Sequence, residues 1–335
     1  MYILKRIFSM VLVVLGVSLL VFVLTRVVPS DPVAYLLGPR ATKASIEQVK
    51  KELKLDLPIP IQYIQYIKGI FFERKLGISL IERRDVFDIV KERLPATIEL
   101  IIFAMLIALV LGIPLGVISA IYKNTFIDQF SRVFTVAGVS IPQFWSGIML
   151  QLLLGYGLSL LPLVGRIEGI PPHHITGLYL FDSLITLNFS AFFDSLYHII
   201  LPALVLSFSP LANFTRMLRV NMLDELTKNY IVVFRCSGIS ENTIVWKYML
   251  KNAFSSTLTM IGLTTGFMLG GAFVVEKVFA WPGLARFGTD AIFNNDYNGM
   301  IGVIITISLV FVIINFVIDI LYTYLDPRIK LRLKK

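Results

Sequence analysis

The stretch Asn229–Phe254, NYIVVFRCSGISENTIVWKYMLKNAF, decides how this chain is read. It lies between two long apolar segments, yet it is charged and punctuated by Gly238 and Ser240. On a helical wheel Leu226, Tyr230, Val233 and Phe234 share one face, and Lys228 and Arg235 lie opposite. Gly238 suits the left-handed backbone that ends a helix, and Ser240 suits the N-cap of the next. Glu241 would then sit at the positive end of that second helix's dipole. The pattern predicts a helix over Leu226–Ser237, a tight turn, and a second helix running from Glu241 into an apolar segment. Lys247 and Lys251 fall one turn apart on its polar side. Periodicity alone leaves two readings open: an amphipathic helix resting on lipid, or a helix docking into a groove of a separate protein.

Outward from this stretch, composition sets the solvent. Of 335 residues, 56% are hydrophobic and 16% charged, with a mean hydropathy of +0.78. Soluble domains are about 45–50% apolar and about 25% charged, so the bilayer is the expected surroundings. A crossing needs about 20 apolar residues, because each adds 1.5 Å toward about 30 Å of hydrocarbon. Stretches of that kind lie at Phe8–Val28, Ile98–Tyr122, Val133–Leu158, Ile199–Met217, Ser255–Val275 and Met300–Tyr324. The expected fold is therefore an all-α integral membrane protein with six transmembrane helices. The basic start MYILKR and the long apolar run after it read as an uncleaved first span.

Orientation follows from lysines and arginines in the short flanks. Lys5, Arg6, Lys123, Arg132, Arg216, Arg219, Lys228, Arg235, Lys247, Lys251, Arg328, Lys330, Arg332, Lys334 and Lys335 fall on one side of an alternating topology. Only Arg166, Lys277 and Arg286 fall in the short connections of the other. Both termini are thus expected in the cytoplasm. The net charge of +9 tracks topology, so it gives no support to nucleic-acid binding. The long segment Pro29–Ala96 balances its charges and is expected to fold as a small extracytoplasmic cap. Within it Ala44–Leu55 has helical spacing and is expected to end at Pro58 and Pro60. Leu161–His198 is expected to form an outer lid or packing loop.

The chain lacks a phosphate-binding G-x-x-x-x-G-K-[ST] loop and an H-E-x-x-H metal motif. Adjacent His173 and His174 are poorly spaced for a metal on a helix, and the single Cys236 excludes an internal disulfide. Arg26, Glu99 and Asp319 sit near span ends, where a charge snorkels or pairs. No carboxylate falls at midplane, which weighs against a secondary carrier. Neither catalysis nor a cofactor is expected of this chain.

Seven stretches occur in order, the start of the opening one among them. They are GVSLLVFVLTRVVPSDPV (Gly16–Val33), ERLPATIEL (Glu92–Leu100), GIPLGVISA (Gly112–Ala120), SIPQFWSGI (Ser140–Ile148), NYIVVFRCSGIS (Asn229–Ser240), GGAFVVEKVFAWPGLARF (Gly270–Phe287) and DILYTYLDPRIK (Asp319–Lys330). With them the chain resembles, over nearly its whole length, the permease subunits of binding-protein-dependent ABC importers. More narrowly it resembles the B-type subunit of the dipeptide/oligopeptide/nickel permease family.

The resemblance implies a type I importer fold with four parts. These are a tail and first helix over 1–28, a cap over 29–96, a permease core over 97–325 with a coupling helix around 225–240, and a basic tail over 326–335. It implies ATPase coupling through Tyr230, Val233, Phe234, Arg235, Gly238, Ser240 and Leu250, with Gly238 and Leu250 matching the family's glycine and later leucine. Val232, Val233 and Phe234 replace its usual small and polar residues, and Ser256 stands at its usual proline. Gly262, Gly266 and Gly270, four apart in span five, serve either close helix approach or the translocation path, and the resemblance places their helix near the subunit interface. Glu276, Trp281, Pro282 and Gly283 form an elbow that the resemblance puts at the pore mouth. Implied partners are a homologous second permease subunit, two ABC ATPases that bind ATP and magnesium, and an extracytoplasmic binding protein. The implied cargo is di- or oligopeptide, with oligosaccharide or nickel as alternatives. A membrane sensor or scaffold would explain the cap and the docking loop, but not the seven stretches.

Overall fold

The computed structural model describes residues 2–27, 42, 47, 57–72 and 76–325. Apart from an isolated bridge between Ile78 and Asp85, the regular structure of the described residues is helical. The helices are α1 (Tyr2–Val27), α2 (Ile59–Phe72), α3 (Val86–Ile121), α4 (Phe126–Ser140), α5 (Gln143–Leu150), α6 (Tyr179–Ile185), α7 (Phe189–Leu226), α8 (Asn229–Cys236), α9 (Leu250–Val278), α10 (Leu284–Phe293) and α11 (Tyr297–Leu325). Two wide π turns, Gln151–Gly157 and Ile244–Met249, continue α5 and lead into α9.

Four described helices carry enough apolar length to cross a membrane: α3, α7, Met260–Val278 of α9 and Tyr297–Ile318 of α11. A fifth crossing results if Phe126–Ser140 and Gln143–Gly157 are taken together, although they meet at a bend of 107°. The apolar part of α1, Phe8–Val23, is shorter. The described residues therefore supply four to five of the six crossings expected. The continuous third span expected over Val133–Leu158 is broken, and Pro142 explains why. Proline has no N–H to donate, and its ring drives the preceding residue out of helical geometry. Ile141 is accordingly extended at φ −78°, ψ 125°.

Other helices outrun their apolar cores. Span two begins at Val86 and crosses the boundary expected at residue 97; span four extends to 38 residues, about 57 Å at 1.5 Å per residue. Polar residues continue a helix once its apolar middle is packed, so hydropathy marks the membrane-facing part and not the helix.

The chain divides into two compact units, one of residues 1–94 and 287–312, the other of residues 95–286 and 313–335. In the first, α2 packs on α1: the rings of Tyr63 and Phe22 lie 5.3 Å apart, and the Tyr63 hydroxyl donates to the Leu15 carbonyl at 3.2 Å. Val21, Ile301 and Ile305 form a small core with Val17, Ile70 and Leu309 against it. Pro58 and Pro60 lie at the start of α2, with the Ile61 N–H donating to the Pro58 carbonyl at 2.9 Å. Proline is tolerated in a first turn, where its missing donor has no partner to lose. The helix expected over Ala44–Leu55 lies outside the described residues. The buried Asp296 carboxylate gathers the loop before α3, accepting from Ser79 Oγ at 2.5 Å and from the Leu80 N–H at 3.0 Å.

In the second unit, α3 and α7 cross at two small residues. A Cβ on Gly112 would lie 3.2 Å from the Leu211 carbonyl oxygen, and one on Gly116 would lie 2.9 Å from that of Thr215. Thr215 Oγ1 donates to the Gly112 carbonyl at 3.2 Å. This small-x-x-x-small crossing positions everything that follows.

Candidate coupling hairpin and outer elbow

The α7 helix ends at Leu226, where the wheel required a helix to continue to Ser237. The Thr227 hydroxyl donates back to the Asp224 carbonyl at 2.8 Å, and α8 restarts at Asn229 after Lys228 in extended geometry. The continuous helix expected over Leu226–Ser237 is thus two helices, and Leu226 does not share a face with Val233. The residue driven inward is Ile231, fully buried; Tyr230 and Phe234 flank it half-buried, while Val232 and Val233 are each 59% exposed.

The turn closes as expected. The Gly238 N–H donates to the Arg235 carbonyl at 3.0 Å, and the Ile239 N–H to that of Phe234 at 3.1 Å. This is the double bond of a Schellman ending, with Gly238 at φ +74°. Ser240 Oγ accepts from the Thr243 N–H at 3.4 Å and caps the helical turn Glu241–Thr243. Arg235 Nε donates to Glu241 Oε1 at 2.6 Å across the turn. Their shared hydrogen bond holds the Glu241 carboxyl below its ordinary range and Arg235 above its own. At the other end the Tyr230 hydroxyl donates to Glu225, and Asn252 Nδ2 donates to that hydroxyl at 3.2 Å. Burial and then the Glu225 contact push the Tyr230 hydroxyl up.

Under the hairpin lies a core drawn from three span ends. Val117 and Ala120 come from α3, Leu218 and Met222 from α7, and Ala253 from α9, packed with Ile231, Ile244, Val245 and Met249. Leu250 packs against this core and so supports the hairpin from within. Beside it the carboxylate of Asp128, 0% exposed, accepts from Arg219 Nε at 2.6 Å, Arg219 Nη2 at 2.9 Å and Ser119 Oγ at 2.8 Å. That cluster joins α4 to α3 and α7. The sequence reading missed Ile231, Glu225, Asn252 and the Asp128–Arg219 pair, whose members are 91 residues apart.

The glycine stripe of α9 divides. Gly262 is buried, and its Cβ would lie 3.3 Å from Asn315 Oδ1 of α11. Gly266 is half-buried, and Gly270 is exposed with nothing within 4 Å of a Cβ. Steps of four residues drift about 40° around a helix of 3.6 residues per turn, which turns Gly270 away. Close approach falls instead at Gly271, where a Cβ would lie 2.7 Å from Gln143 Oε1 and 3.2 Å from Leu206 Cδ1.

At the other end of the unit the elbow residues are knitted inward, with only Pro282 exposed. The Glu276 carboxylate, 0% exposed, accepts from Thr97 Oγ1 at 2.5 Å and from the Arg286 N–H at 2.7 Å. Trp281 Nε1 donates to the Ala96 carbonyl at 2.9 Å. Glu99 pairs with Arg166, whose Nη2 lies 2.5 Å from Glu99 Oε2, and the guanidinium covers the Tyr179 ring at 3.7 Å. Glu99 therefore takes the pairing course; the side chains of Arg26 and Asp319 lie outside the described residues. Beneath them Asp182 draws in the loop at 175–177, accepting from the N–H groups of Ile175, Thr176 and Gly177. A Cβ at Gly283 would land on the Glu276 carboxylate. Gly283→Ala is expected to cost about 1–3 kcal/mol through overpacking. Reduced survival of the detergent-extracted subunit on heating, relative to Pro282→Ala, checks this.

Comparison with known proteins places the chain among transport proteins. Residues 112–331 match the model of "Binding-protein-dependent transport system inner membrane component", and residues 1–101 match its N-terminal companion. The chain is 38% identical over 327 residues to the probable D,D-dipeptide transport system permease protein DdpB of Escherichia coli, covering 97% of this chain and 96% of that one. It is 36% identical over 330 residues to the dipeptide transport system permease protein DppB of Alkalihalophilus pseudofirmus, covering 98% and 99%. It is 35% identical over 329 residues to the glutathione transport system permease protein GsiC of Escherichia coli, covering 98% of each.

Proposed function

Because the chain belongs to the family of binding-protein-dependent transport system inner membrane components, we propose that it is the permease subunit through which an ABC importer passes peptides. It is a multi-pass membrane protein and a transport subunit rather than an enzyme. Its relatives are named for dipeptides, a D,D-dipeptide and glutathione, which favours peptide cargo over oligosaccharide or nickel. The same membership sets aside a sensor, scaffold or proton-driven carrier.

The observation that carries the mechanism is the hairpin over residues 229–254. Two exposed valines project from a short helix whose inner face is built into the ends of three spans. In this reading α8 is the coupling helix, Val232 and Val233 enter a groove on an ATPase subunit, and Tyr230, Phe234 and Leu250 transmit the displacement inward. Gly238, Ser240 and the Arg235–Glu241 pair hold the angle of the turn. ATP and magnesium belong to two ATPase partners, and this chain holds no cofactor. A homologous second permease completes the pathway, and a binding protein delivers cargo on the elbow side, with both termini of this chain on the hairpin side in the cytoplasm. Residues 29–96 supply an outer cap, 97–325 the core and 326–335 a basic tail. Alternating access then follows as a two-state bundle biased by nucleotide.

A photo-crosslinking residue at Val233 in the reconstituted importer tests this. Adducts are expected on the ATPase subunit, and much weaker ones from the buried Ile231. Adducts only on phospholipid would remove the coupling role. ATP-dependent dipeptide uptake by the same vesicles tests the transport role separately.

A further inference from the structure

The broken third span is the feature that the coupling mechanism leaves unused. Its two halves separate at Ile141 and Pro142, both in extended geometry, with a bend of 107°. Neighbouring contacts give its depth. A Cβ on Gly138 would lie 3.2 Å from the Phe208 carbonyl oxygen, and Gln143 and Leu206 meet at Gly271. Leu206 and Phe208 sit midway along α7 (Phe189–Leu226), at the centre of the apolar stretch Ile199–Met217. The break therefore lies near the middle of the hydrocarbon.

A helix end leaves its last carbonyls, and a helix start its first N–H groups, without intrahelical partners. Hydrocarbon cannot satisfy them, and non-helical backbone at this depth persists only inside protein or beside water. Here it is open: Ser140 and Pro142 are exposed, as are Ile141 at 39%, Phe144 at 52% and Trp145 at 47%. Ser140 and Gln143 add polar, uncharged side chains.

We propose that the Ser140–Gln143 break is a step in the wall of the translocation pathway, bathed by water and offering both carbonyl and N–H groups to a passing peptide backbone. The inference rests on the importer reading and names the part of this chain that the cargo meets. An uncharged step that engages main-chain groups accepts peptides largely irrespective of side-chain charge.

The test uses Ser140→Cys in the complete importer reconstituted in vesicles, treated with an anionic, membrane-impermeant methanethiosulfonate applied to both faces, with and without trapped nucleotide. Trypsin leaves position 140 in the peptide Val133–Arg166, separate from the native Cys236, so mass spectrometry reads it alone. Val110→Cys, 66% exposed at the centre of the apolar stretch Ile98–Tyr122, is the control at hydrocarbon depth. Position 140 is expected to react at least about tenfold faster than position 110 in one nucleotide state, because a thiolate forms beside water and not in hydrocarbon. Labelling only by a lipid-soluble maleimide, or by neither reagent, would overturn the proposal. Dipeptide uptake by the unsubstituted importer, measured in parallel, shows whether the importer reading itself has failed.

Discussion

Arg219→Met is expected to destabilise the detergent-extracted subunit by about 3–5 kcal/mol, the usual consequence of leaving a buried carboxylate without its cation. Asp128 has no solvent exposure and takes both hydrogen bonds of the Arg219 fork. Arg132, 3.9 Å away and half-exposed, is too distant to replace it fully. The midpoint for loss of monodisperse protein on heating should fall by on the order of 10 °C. Adding Asp128→Asn to the same chain removes the stranded charge, so the double variant should recover most of the loss. An unchanged midpoint in Arg219→Met would show that Asp128 does not depend on its partner. A double variant no better than the single would place the damage in packing instead.

Gly238→Val is expected to lower dipeptide uptake and cargo-stimulated ATPase activity by about tenfold while the subunit still reaches the membrane. The residue stands at φ +74° with nothing within 4 Å of a Cβ, so the obstacle is backbone conformation and not space. Left-handed geometry costs an L-residue roughly 1–2 kcal/mol, and more where the side chain is β-branched. One or two kcal/mol shifts a two-state population by a factor of 5–30. Opening the turn would swing Val232 and Val233 off their bearing while the buried Ile231 still holds the helix. Asparagine tolerates this conformation, so Gly238→Asn should keep most of the activity. Equal loss in both variants, or none in either, would separate the turn from coupling.

Elements written in local chemistry were legible from the sequence. The Gly238 turn, the Ser240 cap and the apolar middles of the long helices depend on neighbours within a few residues, and the structure has them where the pattern placed them. What was lost depends on distance along the chain. Asp128 and Arg219 each sit at the polar edge of an apolar run, and nothing local says that they meet. Ile231 was overlooked because the wheel was drawn through Thr227 as if α7 and α8 were one helix. The stripe of Gly262, Gly266 and Gly270 was chosen for its spacing, whereas the tight crossing lies at Gly112 and Gly116 within GIPLG. Pro142 falls inside the run Val133–Leu158 that hydropathy marks as one span, and the chain turns by 107° beside it.

The length of α7 has a mechanical consequence. At about 57 Å it exceeds the roughly 30 Å of hydrocarbon by nearly a factor of two. One rod carries Asp194, which holds the Glu168–Gly169 loop at one extremity, and Met222, which lies in the hairpin core at the other. Near its midpoint it is gripped by Gly138 and Gly271 of its neighbours. Pro202 and Pro210 bracket that grip, and each interrupts the helical hydrogen-bond ladder, so the bar gives way most readily on either side of its clamp. A push on the hairpin tip would then turn the near arm about the clamp as a crank, while the far arm keeps its own bearing on the loop.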